Sequence, residues 1–262
     1  MSENLNFIIP ELFLIIFNLS FLSIMLFVKS NAILSNGNKL CALALIVTAG
    51  LVHSTPVESD PVINGFYTSN DFTAFFKMLV LFLSAVILYL SDAYLKKNNL
   101  LKYEFPLLIN FSVFGMMIVI SSNDLMALYL GIEIQSLSLY IIAAYRRDNI
   151  KSTEAGLKYF ILGALSSGLL LYGISLVYGA TGTTQFHTIY KEIMYSERIL
   201  GLQVGMVFLL SAIAFKFAAF PFHMWTPDVY DGSPTPVTAF MAIVPKLAIG
   251  AIFAKVLFDI FG

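Results

Sequence analysis

Eight apolar stretches, each near the roughly 20 residues a membrane-spanning helix needs, dominate this chain. They run at approximately 5–28, 40–54, 72–91, 105–121, 125–145, 153–180, 202–222 and 236–261, each end placed to within about 2–4 residues. Hydrocarbon offers no water to the peptide groups, so each stretch must close its hydrogen bonds within itself. The expected fold is therefore all-α, a polytopic transmembrane helix bundle of about eight spans. Only 12% of residues are charged while 58% are hydrophobic, which sets the chain apart from ordinary soluble domains. The first stretch carries Glu3 and Glu11 where a removable signal would carry positive charge, and it is too long for a signal core. It reads as a true first span.

The connections alternate in charge. The first holds Lys29 and Lys39, the third Lys96, Lys97 and Lys102, and the fifth Arg146, Arg147 and Lys151. The second has Glu58 and Asp60 with no base, and the fourth Asp124 alone. Odd loops are thus expected on the cytoplasmic or matrix side, with the N-terminus opposite. The sixth loop, with Lys191, Glu192, Glu197 and Arg198, is balanced. The seventh breaks the rule with Asp228 and Asp231, as a loop folded back into the protein would.

Against this background three ionisable side chains stand deep in apolar stretches: Glu133, Lys216 and Lys246. A charge at the middle of a membrane helix costs about 2.5–3.5 kcal/mol on insertion scales, so one acid and two bases on nearby helices read as a relay for ions or protons. Glu133 is flanked by Gln135, Ser136 and Ser138, with Lys216 its natural partner. Burial and a neighbouring lysine pull a carboxyl's proton affinity in opposite directions, which brings it within range of reversible protonation. A buried lysine can release its proton, as arginine cannot. Lys246 lies too centrally to snorkel. Lys158 is a further relay candidate, although Glu154 four residues earlier also permits a simple surface ion pair. His223 is a possible accessory group, a hydrogen-bonded structural histidine being the plainer reading. Lys77, Lys255 and Glu11 are close enough to span ends that snorkelling is the default reading.

Two prolines bear on the same region. Pro221 removes the usual donor for the carbonyl of Phe217, next to Lys216, and Pro245 does the same to Met241, one turn before Lys246. A broken seventh helix is expected, followed by a turn or half-helix over residues 221–228. Ser233-Pro234-Thr235-Pro236 marks the start of the eighth span. In the sixth span, Gly163 and Ser167, and Ala164 and Gly168, place small residues four apart, which invites a neighbouring helix to approach. The single cysteine, Cys41, excludes an internal disulfide and a cysteine-ligated cluster, and the three scattered histidines suggest no haem or copper pair. No redox centre is expected, and a net charge of −1 offers nothing to nucleic acid.

Three long motifs carry a resemblance. Gly131-Ile-Glu133-Ile-Gln-Ser-Leu-Ser-Leu-Tyr140, the stretch from Glu154 through Lys158 to Gly168, and Lys216-Phe-Ala-Ala-Phe-Pro221-Phe-His-Met-Trp225-Thr-Pro-Asp228 with Gly232-Ser-Pro-Thr-Pro following closely resemble the antiporter-like subunit N family of bacterial complex I. The mitochondrial equivalent is NADH dehydrogenase subunit 2. The resemblance implies that Glu133, Lys158, Lys216 and Lys246 match the family's charged residues along a hydrated proton path. It implies three leading helices in residues 1–102 and a five-helix half-channel repeat in 103–262. It also implies that the complex uses NADH, FMN, iron–sulfur clusters and quinone in other subunits, with no cofactor on this chain. The setting would be a bacterial cytoplasmic or mitochondrial inner membrane. Bacterial members continue into a second, inverted repeat that this sequence lacks, so a split subunit or a fragment is expected. The partners would be the lipid bilayer and other membrane-arm subunits, including a chain supplying that repeat. A subunit of a multi-subunit cation/proton antiporter and a non-conducting scaffold are the rival readings.

Overall fold

The computed structural model describes residues 6–27, 31–58, 60–193 and 199–261, with side chains for all of these but 31–35, 199 and 261. Glu3, Lys29, Glu197 and Arg198 lie outside the described residues. After a short 3₁₀ turn at Asn6–Ile8 come α1 (Ile9–Phe27), α2 (Asn31–Ser54), α3 (Asp71–Lys97), α4 (Glu104–Ser121) and α5 (Leu125–Ala143). They are followed by α6 (Ile150–Thr181), α7 (Phe186–Ile193), α8 (Ile199–Phe217), α9 (Thr226–Gly232) and α10 (Thr235–Phe261). Eight of these helices are long and apolar enough to cross a membrane, the number expected. The short α7 lies inside what had read as a loop, because eight residues make no apolar stretch of membrane length.

Local chemistry sets the helix ends. Asn70 opens α3 through a reciprocal capping box: its side chain accepts from Thr73 N at 2.9 Å, and Thr73 Oγ1 accepts from Asn70 N at 3.0 Å. The carboxylate of Asp124 accepts from Met126 N at 2.8 Å and Ala127 N at 3.2 Å at the start of α5. Asn149 caps α6, which ends at Gly182 with φ 73°, the left-handed position that glycine adopts without a Cβ clash. α10 runs unbroken through Pro245.

The helices form an up-and-down bundle with distinct ends. At one end lie the basic connections around residues 98–103 and 144–149, with α9 beside them. At the other, the connection 55–70 closes on itself through a Val62–Tyr67 bridge and joins 122–124 through a Tyr67–Ser122 bridge, while 122–124 joins 182–185 through an Asp124–Gln185 bridge. Leu43 on α2, Phe82 and Leu90 on α3 and Leu157, Ile161 and Leu165 on α6 point outward, as a lipid-facing perimeter requires. The small pair Ala164/Gly168 belongs to that exposed face, and nothing lies within 4 Å of where a Gly168 Cβ would stand. Close approaches on α6 occur at Gly156 and Gly163, which face α5 and the residue after it, and at Gly173, where a Cβ would come within 2.8 Å of Gly205 O on α8. That contact locks α6 to α8, the helix that carries Lys216.

Candidate functional site

Lys216 occupies the last turn of α8 and is only 8% exposed. Its ammonium donates to Ser136 Oγ at 2.9 Å and Tyr140 Oη at 3.0 Å on α5, and to Ser167 Oγ on α6 at 3.4 Å. Ser136 and Tyr140 are four residues apart and therefore share one face of α5. Gly163 makes room for this arrangement, since its missing Cβ would lie 2.0 Å from Tyr140 Oη. The small residues at 163 and 167 thus serve the lysine cage, one by absence of a side chain and the other by its hydroxyl.

The α8 helix stops at Phe217, four residues before Pro221, where Ala218 takes φ 62°. Trp225 lies 4% exposed beneath the turn and donates Nε1–H to Phe215 O at 3.1 Å, satisfying a carbonyl at the helix end. Its ring stacks on Tyr159 at 4.7 Å, and Tyr159 meets Tyr140 edge-on at 4.8 Å. An aromatic wall therefore fixes the turn against α6 and α5.

Glu133 is partly buried and near enough for its charge to act on Lys216, yet no ion pair within 4.0 Å joins them among the described residues. Its Oε1 is buried and accepts no hydrogen bond from the described residues. Lys246 is partly buried with Nζ 5.7 Å from the centre of the Tyr230 ring. Burial pushes the Tyr230 hydroxyl above the usual phenol range, so it stays a neutral donor. His223 is exposed on the turn, its ring 5.6 Å from that of Phe220.

Lys158 takes the surface arrangement that its spacing allowed: its side chain is 43% exposed and pairs with Glu154 at 2.8 Å. It also reaches Asp228 at 2.6 Å, while Asp231 pairs with Lys151 at 3.5 Å. These contacts account for the acidic seventh connection, whose two carboxylates are matched by bases of α6. The group lines a pocket of about 140 Å³ at the basic end. Exposed pairs of this kind are screened by water and add little to stability, so Asp228→Asn should leave the thermal unfolding midpoint within a few degrees of the parent. A larger drop in a melting experiment would show that the pair organises the turn.

The snorkelling expected of Glu11, Lys77 and Lys255 is overturned. Glu11 and Lys77 are 3% and 4% exposed and joined at 2.5 Å, with Tyr67 Oη accepting from Lys77 at 2.6 Å. Lys255, 7% exposed, donates to Thr68 Oγ1 and, at 2.5 Å, to Ser122 O. The connection 55–70 folds over this end of the bundle and covers groups that, read along single helices, stood near water. Sequence reasoning also passed over Tyr140 and Asp228 as partners of the lysines. Only the four-residue spacing of Ser136 and Tyr140 hinted at the first, and no local signal pointed to the second.

A bundle of membrane-spanning helices enclosing a hydroxyl-caged lysine, a neighbouring carboxylate and a second lysine defines a class of polytopic proteins with ionisable groups in the span interior. Residues 122–261 match the family described as NADH:quinone oxidoreductase/Mrp antiporter, TM, and the chain belongs to that family. The resemblance to subunit N is borne out: NADH-quinone oxidoreductase subunit N of Jannaschia sp. (strain CCS1) is 47% identical over 261 residues, covering 100% of this chain and 54% of the relative. A chain of respiratory complex I from Thermus thermophilus with bound aureothin superposes with a TM-score of 0.78 at 30% identity, over 94% of this chain and 52% of that one. A chain of the Mrp complex from Dietzia sp. DQ12-45-1b shares the fold, with a TM-score of 0.74 at 21% identity over 99% of this chain and 29% of that one. The chain spans about half the length of the curated relatives it matches.

Proposed function

We propose that this chain supplies the first half-channel of a complex I subunit N and moves protons when electrons pass from NADH to quinone elsewhere in the assembly. In this reading residues 1–102 are the leading helices and 103–262 the conducting repeat. FMN, iron–sulfur clusters and quinone belong to other subunits, and the second repeat comes from further sequence or a companion chain. The observation that carries the reading is the cage around Lys216. Three hydroxyls hold its nitrogen, and no carboxylate lies within 4.0 Å among the described residues. A hydroxyl accepts from an ammonium and can turn to donate to a neutral amine, so the cage holds lysine in either protonation state. A carboxylate in contact would favour one.

Glu133 then sets the balance from nearby. Its negative charge favours a protonated Lys216, and movement that separates the two favours release of the proton toward Lys246. In this reading Lys158 is the member of the relay at the exposed pocket of the basic end, held in its charged state between Glu154 and Asp228, with His223 an accessory on the turn. Substitution of Glu133 by Ala should lower proton pumping several-fold in membranes bearing the intact assembly, with NADH oxidation by an artificial acceptor unchanged. Equal loss of both would mean failed assembly. Retention of both would remove Glu133 from the path.

A further inference from the structure

The relay above leaves a buried lysine unused. Lys255 resembles Lys216 in its surroundings: it is held by a hydroxyl, Thr68 Oγ1, and a carbonyl, Ser122 O, and no carboxylate lies within 4.0 Å among the described residues. Lys77, by contrast, is locked to Glu11 at 2.5 Å. One turn beyond Lys255 stands the half-buried Asp259, close enough for the two charges to act on each other. Asp259 in turn senses His187, which is exposed at the start of α7. Phe186 of the same helix is fully buried with its ring centre 6.0 Å from Lys255 Nζ. A file of titratable groups thus descends from solvent through His187 and Asp259 to a buried amine. The other ionisable group close enough to act on that amine is Lys77, itself held by Glu11 and Tyr67, and Asp124 follows Ser122 by two residues along the chain.

We propose that Lys255 is a further proton-exchanging residue of this repeat, reached from the end opposite the basic loops through His187 and Asp259. The inference rests on the proton-translocating reading above. Ile249 and Ile252 separate Lys255 from Lys246 along α10, and they pack with Leu128 and Ile132 of α5 and with Leu209 and Ile213 of α8. This apolar layer divides the lysine from the Lys216 cage, so the structure has the form of a relay closed at this end.

The test compares Lys255→Arg with Lys255→Gln in the native assembly, reading proton pumping per electron delivered to quinone. Arginine keeps the charge and the donors but does not release its proton. Both variants should lose pumping several-fold while artificial-acceptor NADH oxidation holds. Normal pumping by Lys255→Arg would overturn the proposal and make Lys255 an anchor for the covering connection. Lys216→Arg run in parallel separates the two readings: if it also pumps normally, the reading of this chain as a conducting half-channel itself fails. Should Lys255→Arg not assemble, Asp259→Asn and His187→Gln carry the test. They should shift the dependence of pumping on the pH of one side of the membrane, and an unshifted profile would overturn the proposal equally.

Discussion

Glu11→Ala is expected to destabilise the protein by about 3–5 kcal/mol, because it strands the ammonium of Lys77 in a site sealed from water. The two groups are 4–5% exposed at the side chain and meet at 2.5 Å. Tyr67 Oη lies 2.9 Å from the same carboxylate oxygen and accepts from Lys77, so the loss would reach the covering connection as well. Burial pushes the Tyr67 hydroxyl above the usual phenol range, which keeps its proton in place. Lys77→Met alone should cost a similar amount by leaving the carboxylate unmatched. The double variant Glu11→Leu/Lys77→Met should recover most of the loss, since two apolar side chains leave no buried charge behind. Melting of the purified assembly would check this. Additive losses in the double variant would mean that the pair is not coupled, and that packing alone explains the single effects.

The second large effect concerns Gly163. Its Cβ position lies 2.0 Å from Tyr140 Oη and 2.5 Å from Cζ, distances at which one side chain must leave. Gly163→Val should therefore cost about 1–3 kcal/mol as overpacking and push Tyr140 out of the Lys216 cage. Pumping should fall several-fold with it. Adding Tyr140→Ala to Gly163→Val relieves the crowding but not the missing hydroxyl, so assembly should return while pumping does not. Restored pumping in that double variant would show that Tyr140 serves packing only. Tyr140→Phe alone is the milder control: it removes one hydrogen bond, about 0.5–1.5 kcal/mol, and leaves Ser136 and Ser167 on the lysine.

The eight spans were legible because membrane length and apolarity are local properties, and the structure differs mainly at the ends. The seventh stretch, read as 202–222, stops as a helix at Phe217, where Ala218 turns left-handed and Trp225 takes over a carbonyl. Glu154 and Lys158 were readable as a pair because four residues make one helical turn. Asp228 was not, since it reaches Lys158 from 70 residues away on a connection whose path no local rule predicts. The unusual charge of that connection was visible, and its cause was the geometry of α9 against α6, where Gly232 lets the backbones meet.

The same division runs through the charged residues. That Glu133, Lys216 and Lys246 stand where charge is costly follows from their place within apolar stretches, a matter of counting along one helix. Whether a lysine near a span end sits in water or in the core depends on what lies over that end. For Lys77 and Lys255 the answer came from residues 55–70, a connection that folds back across the bundle and pairs with two others. Depth along a helix is written in the chain, whereas exposure belongs to the whole packed surface. Only the tertiary structure could therefore tell the locked Glu11–Lys77 pair from the hydroxyl-held Lys216.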